Sequence, residues 1–158
     1  MALNKNDIYV DSTKVLNAFK RIANIDLIKP MTEATTLVHG QAKELAPSDI
    51  GALASSIHMR VEDHKDSVDG VVYTNNEYAL YVEYGTGQVA NGTYPDITKN
   101  LTYSNKPYWR YQDKKGNWHT TSGHEANPFM YNAVQMHKKE IKDLLGDSVK
   151  SVVRGKKG

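Results

Sequence analysis

Hydrophobic residues recur every three or four positions in three parts of the chain, which predicts three helices of substantial length. The second begins at Pro30 and ends before Pro47, and the third opens at Asn127 and Pro128 and ends near Gly146. Gly40 lies inside the second helix, and we expect close packing against another backbone to offset its cost of about 1 kcal/mol. The first helix follows N-cap oxygens at 11–13 and carries an apolar stripe of Val15, Leu16, Ala18, Phe19, Ile22 and Ala23.

Alternation of apolar and polar residues predicts strands between the second and third helices. Residues 57–61 alternate in this way, and residues 71–73 form a second strand after a charged turn, so the two strands make a hairpin. Asn75 and Asn76 then offer caps for a short helix that holds Tyr78, Tyr81 and Tyr84 and is stopped by glycine. Tyr78 or Tyr81, and also Tyr131, are expected to pack in the core.

A second hairpin is predicted at 107–121, with its turn at 113–116. If Gln112 pairs with Asn117, then Tyr111 lies opposite Trp118. The preceding residues, 85–106, have no clear periodicity and read as a long loop, which inside a compact domain is usually functional or disordered.

These elements predict an α+β fold, in which a small antiparallel sheet packs against helices and a β-hairpin arm projects with its long loop. We assign residues 1–146 to a single domain with a loop and hairpin insertion at 85–127. Residues 147–158 are assigned to a flexible basic tail. The 158 residues are enough for one core without covalent staples.

Composition argues against several classes of binding site and shows that charge is unevenly distributed along the chain. The chain has no cysteine, its longest apolar run is five residues, and no nucleotide-binding or complete zinc-protease motif occurs, so we predict no metal and no cofactor. The N-terminus lacks the pattern of a secretory signal, which predicts cytoplasmic synthesis, and no membrane span is predicted. From His137 onwards the net charge is +4, whereas the rest of the chain carries −2.

Aromatic residues are concentrated in one half of the chain, because all ten tyrosines and two tryptophans except Tyr9 lie between Tyr73 and Tyr131. Rings on a projecting arm cannot easily be buried by their own small domain, and such rings are enriched where proteins meet proteins. We therefore predict a subunit or partner interface at Tyr94, Tyr103, Tyr108, Trp109, Tyr111 and Trp118.

Three separated motifs resemble the head-tail joining family of long-tailed bacteriophages, also called tail-completion or minor neck proteins. The first is the run APSDIGALASSI at 46–57, the second is YA followed by VEYGT within 78–86, and the third is NPFM at 127–130 with Ala133. Ile50 stands where the family often has threonine, and the segment between Gly85 and Asn127 is longer than in compact members. As structural motif residues we single out Pro47, Asp49, Gly51, Leu53, Gly85, Pro128 and Phe129.

The resemblance implies a structural virion protein without enzyme activity, located at the head-tail junction. It implies a homo-oligomeric ring, sixfold by expectation, that joins the neck or connector to the tail tube around the DNA channel. Glu83 is expected either to accept amides of the loop that follows it or to pair with a basic residue of a neighbouring subunit.

Two other functions stay open on the residues alone. A nucleic-acid-binding module would use the aromatic arm together with the basic tail, where Lys150, Arg154, Lys156 and Lys157 are the candidate DNA contacts. A small hydrolase built on Glu83 and His124 is the third hypothesis. Salt-dependent binding to DNA separates the first of these from a purely structural protein.

Overall fold

The computed structural model describes residues 16–17, 25–47, 51–90, 101–113 and 115–154. Its elements are helix α1 (Ile28–Leu45), helix α2 (Gly51–Ser55), strands β1 (Ile57–Asp63) and β2 (Val68–Thr74), helix α3 (Ala79–Tyr84), a 3₁₀ turn (Gln88–Ala90), strands β3 (Trp109–Gln112) and β4 (Trp118–Thr121), and helix α4 (Phe129–Val153). The two sheets are antiparallel pairs, β1 with β2 and β3 with β4, so the predicted α+β class is confirmed. Most of the first predicted helix lies outside the described residues.

Helix α1 covers one face of the β1–β2 hairpin. It begins two residues before the predicted start, where the Asp26 carboxylate accepts the amide of Ile28 at 2.9 Å, and it ends ahead of Pro47 as predicted. Gly40 is exposed, and a Cβ built there would meet nothing within 4 Å, so the predicted close backbone contact is wrong. This glycine therefore lowers helix stability, and no contact with the described residues compensates for it.

The β1–β2 hairpin follows the predicted alternation, with Ile57 buried opposite Thr74 and the ladder extending to Asp63 opposite Val68. The second strand begins three residues earlier than predicted, because residues 68–70 continue the pairing. The outer face of the hairpin is solvated and carries Arg60 of β1, whose guanidinium lies 4.8 Å from the centroid of the Tyr73 ring on β2.

Helix α4 runs antiparallel to α1, since His137 contacts Gln41 at 3.3 Å while the distal residues of α4 line a cavity with the start of α1. The predicted end near Gly146 is wrong. A Cβ at Gly146 would meet nothing within 4 Å, the helix continues to Val153, and residues 147–153 are helical rather than part of a tail. One glycine costs too little to stop a helix that packs along another.

The core is small and lies where α1, α2, β1, α3 and α4 meet. Its largest fully buried side chains are Phe129, Leu53, Ile57 and Pro128, and the remaining positions are mostly alanine or valine. Helix α3 contributes Ala79, Val82 and Glu83 to this core. Tyr78 and Tyr81 are 54% and 57% exposed, which contradicts the expectation that one of them packs inside, whereas Tyr131 is half-buried.

Candidate assembly interface

The base of the arm is a crossing of two backbone segments, which we call the crossing: residues 82–87 at the end of α3 and residues 122–131 at the start of α4. Thr86 and His124 exchange backbone hydrogen bonds of 2.9 and 3.2 Å, and the amide of Asn127 donates to the carbonyl of Val82 at 2.8 Å. The two segments are therefore joined by backbone hydrogen bonds, which do not depend on the identity of the side chains.

Glycines allow the two segments of the crossing to approach this closely. Gly85 has φ +70°, and a Cβ there would lie 2.6 Å from the amide nitrogen of Ala126. Gly123 has φ +100°, and its Cβ would overlap the carbonyl of Thr86, while a Cβ at Gly87 would overlap the carbonyl of Ser122. The sequence therefore needs glycine at these three positions for both conformation and space.

Glu83 ties α3 to the first turn of α4. Its two carboxylate oxygens accept the amides of Met130 and Tyr131, each at 2.9 Å, and the residue is only 8% exposed. Amides at a helix N-terminus lack partners within the helix, and the helix dipole favours negative charge there. Glu83 therefore acts as a cap supplied by a different helix.

Burial raises the pKa of Glu83, and the hydrogen bonds from Met130 and Tyr131 oppose that rise without cancelling it. The prediction that this carboxylate accepts amides of the following loop is wrong. Both carboxylate oxygens accept hydrogen bonds from amides of the same chain, which lie 47 and 48 residues further along the sequence. Each oxygen therefore already has a donor inside the subunit.

The arm is the β3–β4 hairpin, residues 109–121, and its register differs by one residue from the predicted one. Gln112 lies opposite Trp118 and Tyr111 opposite His119, because the amide of Asp113 pairs with the carbonyl of Asn117. The pairing of Asp113 with Asn117 leaves a three-residue loop that ends at Gly116. Gly116 has φ +88°, and such loops favour a residue of positive φ at this position.

The Asp113 carboxylate explains that register. It accepts hydrogen bonds from the backbone amides of Lys115 and Asn117 at 2.8 and 2.9 Å, and it also contacts His119 Nε2 at 2.9 Å. The His119 contact is the main reason that the pKa of Asp113 is lowered, with the Asn117 amide second. Side-chain acceptors of this kind select a turn that strand alternation alone does not predict.

Rings on the arm, and the ring of Tyr108 just before it, are not covered by the described residues. Tyr108 is 65% exposed, Trp118 60% and Tyr111 49%. Tyr111 stacks on His119 with 5.3 Å between ring centroids, and the guanidinium of Arg110 lies 5.2 Å from the centroid of the Trp118 ring. Each face of the hairpin therefore presents an aromatic ring next to a histidine or arginine side chain. Exposed aromatic residues next to arginine are typical of protein interfaces.

The other predicted interface residues are distributed differently. Trp109 is half-buried, with its ring against Gly87, and the half-buried Tyr103 donates its hydroxyl to the carbonyl of Tyr84 at 2.7 Å. Both rings therefore help to fix the arm to its base. Tyr94 lies outside the described residues.

Sequence reasoning missed an exposed apolar patch beside the arm. Leu80 is 66% exposed and Leu101 is 43% exposed, and with Tyr81, Tyr103 and Trp109 they line an open groove of about 570 Å³. The signal that could have located it is the spacing of Ala79, Val82 and Glu83, because burying that face of α3 turns Leu80 and Tyr81 outwards.

Among the structural motif residues, Leu53, Pro128 and Phe129 are buried, with Leu53 and Phe129 fully inaccessible. Pro47 is half-buried just after α1, and Gly51 is exposed as the first residue of α2 with open space around it. Asp49 lies outside the described residues, so its predicted role in the turn stays a prediction.

The candidate DNA contacts occupy the far end of α4. Lys150 is exposed and pairs with Asp147 at 2.9 Å, and Arg154 is exposed just after the helix. Lys156 and Lys157 lie outside the described residues. No group of three His, Cys, Asp or Glu side chains in the described part of the chain is arranged to hold a metal ion.

A family model described as "Bacteriophage HK97-gp10, putative tail-component" matches residues 11–85. This segment is similar to the HK97-gp10-like family of phage tail components. No curated protein and no solved structure matches the chain. The predicted relationship to proteins that complete phage tails is thereby confirmed at the level of the family.

The HK97-gp10-like segment contains α1, the β1–β2 hairpin and α3, and it ends at Gly85 in the crossing. The arm and α4 follow it. Glu83 is therefore a residue of the matched segment whose two hydrogen-bond donors, Met130 and Tyr131, lie beyond it. No helix within the described ranges is long and apolar enough to cross a membrane.

Proposed function

We propose that this chain is a phage tail component that acts at the head-tail junction of the virion, as a ring of identical subunits around the DNA channel. The ring would join neck or connector proteins to the tail tube, and six subunits are the expected number. In this role the chain is structural and has no catalytic residue. The family match supports a tail component, and the arm supports the assembly role.

The observation that carries the proposal is the arm with its exposed rings. The crossing at its base is fixed by backbone hydrogen bonds and by the buried carboxylate of Glu83. In a closed ring, one surface of each subunit meets a different surface of the next. A rigid, aromatic projection suits one side of such a contact, because its rings lose little conformational entropy when they bind. The patch of Leu80, Tyr81 and Leu101 extends the same surface onto α3.

The test is to shorten the arm without disturbing its base. Trp109 and Thr121 are cross-strand partners, so residues 110–120 can be replaced by Asn-Gly, which forms a two-residue turn. We expect a folded protein that no longer restores infectivity to phage lacking the wild-type chain. Electron microscopy of those lysates should show full heads and finished tails as separate particles.

A matched control is the double variant Lys138→Ala and Lys139→Ala on the exposed face of α4, far from the arm in sequence. This control should join heads to tails normally. Normal titres from the shortened-arm variant would overturn the assembly role of the arm, although the similarity of residues 11–85 to phage tail components would stand.

A second candidate function is nucleic-acid binding by the basic end of the chain. The exposure of Lys150 and Arg154 at the end of α4 favours it. Neutralising phosphates makes affinity fall steeply with salt. If the purified protein shows no binding to duplex DNA at about 50 mM salt, where such contacts are strong, this function is excluded.

A further inference from the structure

Strand β2 has an edge that pairs with none of the described residues. His64 donates its amide to the carbonyl of Ser67, directly opposite, at 2.8 Å, so these two residues are a hydrogen-bonded pair of the hairpin. Such pairs alternate along an antiparallel ladder, and Val71 is therefore bonded to β1. The backbone groups of Gly70 and Val72 point away from β1 instead. Within the described ranges each sheet has two strands, so this edge of β2 is open.

An apolar groove of about 380 Å³ runs along this edge, between β2, α1 and α4. Its walls are formed by β2 at Gly70 and Val72, α1 at Met31 and Val38, and α4 at Val134. The side-chain direction at Gly70 is toward α1, because a Cβ built there would overlap side chains of that helix. A strand added to β2 would lie about 4.8 Å from it, over the groove, with every second side chain directed into the groove.

Strand β4 of the arm has an open edge of matching pattern. The amide of Asp113 donates to the carbonyl of Asn117 at 2.9 Å, so the backbone groups of Trp118 and Thr120 point away from β3. Residues that lie opposite each other in an antiparallel pair carry their side chains on the same face. If the open positions of β4 pair with those of β2, Trp118 and Thr120 are therefore directed toward the groove.

An arm strand suits this groove better than the outer edge of β1 does. His39 contacts the carbonyl of Ile57 at 3.0 Å, so the β1 edge already has a partner at its first residue. Trp118 is 60% exposed and offers a large ring to an apolar groove. The described residues that line the groove include none of the arm, so the arm that fills it has to come from a second copy of the chain.

The charges of the two surfaces are opposite. Residues 109–121 contain three basic side chains and one carboxylate, with histidine left aside. Residues 60–69, which include the start of β2, contain four carboxylates and two basic side chains. Opposite charges across an interface favour the encounter and select the orientation of the two partners.

We propose that strand β4 of one subunit adds antiparallel to strand β2 of a second copy, with the ring of Trp118 in the groove between α1 and α4. Backbone hydrogen bonds supply affinity in such a pairing, and the alternate side chains supply specificity. The contact joins two different surfaces, as a closed ring requires. This inference rests on the proposed function of the arm in assembly, and it identifies the surface that receives the arm.

Cross-linking between single-cysteine variants tests the contact, because the chain has no cysteine of its own. Full-length Thr120→Cys and Val134→Cys chains are mixed and treated with a short bismaleimide, which can join them only between subunits. The linked product should be at least tenfold more abundant than with Lys139→Cys in place of Val134→Cys, since Lys139 is exposed on another face of α4.

The reaction is run on concentrated purified protein and on particles of phage that lack the wild-type chain and carry the two variants. A specific linked product in either setting supports the contact. Its absence from both overturns the inference, while particles that still hold the chain at the head-tail junction would leave the proposed function standing. Linked purified protein together with particles that lack the chain would support the contact and overturn the proposed function.

Proline at the open edge gives a second readout. Val68→Pro, added to the Val134→Cys chain, removes an outward amide at the first residue of β2, where proline is tolerated. The yield of linked product should fall at least tenfold, whereas Val61→Pro at an outward position of β1 should leave it unchanged.

If circular dichroism shows that the proline variants do not fold, Trp118→Ala replaces them. Added to the Thr120→Cys chain, it should lower the yield at least tenfold, whereas Tyr111→Ala on the other face of the hairpin should leave the yield unchanged. A yield that stays the same with Val68→Pro and with Trp118→Ala would contradict the inference.

Discussion

The crossing and the arm are adjacent in the molecule and opposite in character. In the crossing, polar groups are satisfied within the chain, glycines admit direct backbone contact, and Glu83 is buried against the start of α4. In the arm, large rings are exposed and contact mainly side chains of the same hairpin. The difference indicates that the crossing serves folding of the subunit, whereas the arm is the surface that the proposed function assigns to a partner.

The largest effect that separates the two regions is expected from alanine at two glycines that both have positive φ. Gly123→Ala should cost more than about 3 kcal/mol in the free energy of unfolding, since backbone strain of about 1–3 kcal/mol adds to overlap with Thr86. Gly116→Ala in the arm turn should cost only about 1–2 kcal/mol, because its nearest neighbour is a flexible side chain 3.7 Å away. Urea denaturation of both variants measures the difference, and equal costs would remove the distinction between crossing and arm.

The next effect concerns the buried carboxylate. Glu83→Ala leaves the amides of Met130 and Tyr131 without their acceptor, and each unsatisfied buried group costs about 1–3 kcal/mol. Glu83→Gln keeps one acceptor oxygen and should lose about half as much. The control is the exposed Glu77→Ala, with a change within about 0.5 kcal/mol. Similar melting temperatures for Glu83→Ala and Glu77→Ala would show that the cap is dispensable.

A smaller effect is the pH dependence that Glu83 confers. The pKa of Glu83 is raised in the folded state, so the folded protein binds more protons than the unfolded chain between the ordinary value of 4.5 and the raised one. Stability from this group is therefore present below pH 4.5 and falls as pH rises through that window. Melting curves of the wild type and Glu83→Gln from pH 4 to 7 should differ in slope with this sign. A difference of the opposite sign would mean that the amides outweigh burial.

The smallest effect on folding is expected in the arm, and it should coincide with a complete loss of assembly. Trp118→Ala and Tyr111→Ala together should change the free energy of unfolding by less than about 1 kcal/mol, because both rings are about half exposed or more. The same variant should fail to support infection if the rings bind a neighbouring chain. Infectivity at the wild-type level would locate the interface elsewhere, with the patch of Leu80 and Tyr81 as the next surface to test.

The elements were predictable from local pattern, but their orientation was not. The alternation at 57–61 predicted the hairpin that is observed, and Pro47 predicted the end of α1. The burial of Ala79, Val82 and Glu83 was not predicted, because the tyrosines of α3 have an equally regular spacing on another face. The face of a short helix that packs is selected by the space available, and alanine admits the close approach of α4 that tyrosine does not.

The arm shows the same division on a smaller scale. Its position and its turn residues were evident from 107–121, yet its register was set by the Asp113 carboxylate and its contact with His119. The exposed state of Trp118 follows from the absence of any described element packed over it, which composition does not reveal. Predicting an interface there required an argument about how few rings a small domain can cover.

The sequence by itself determined the α+β class, the order of the described elements apart from the short helix α2, and the relationship of residues 11–85 to phage tail components. These properties depend on periodicity and on motifs that are continuous along the chain. Only the tertiary structure decided which amides Glu83 accepts, why Gly85 and Gly123 must be glycine, and which rings stay outside. Each of those depends on groups roughly 40 to 50 residues apart that meet only when the core forms, and local pattern carries no information about their distance.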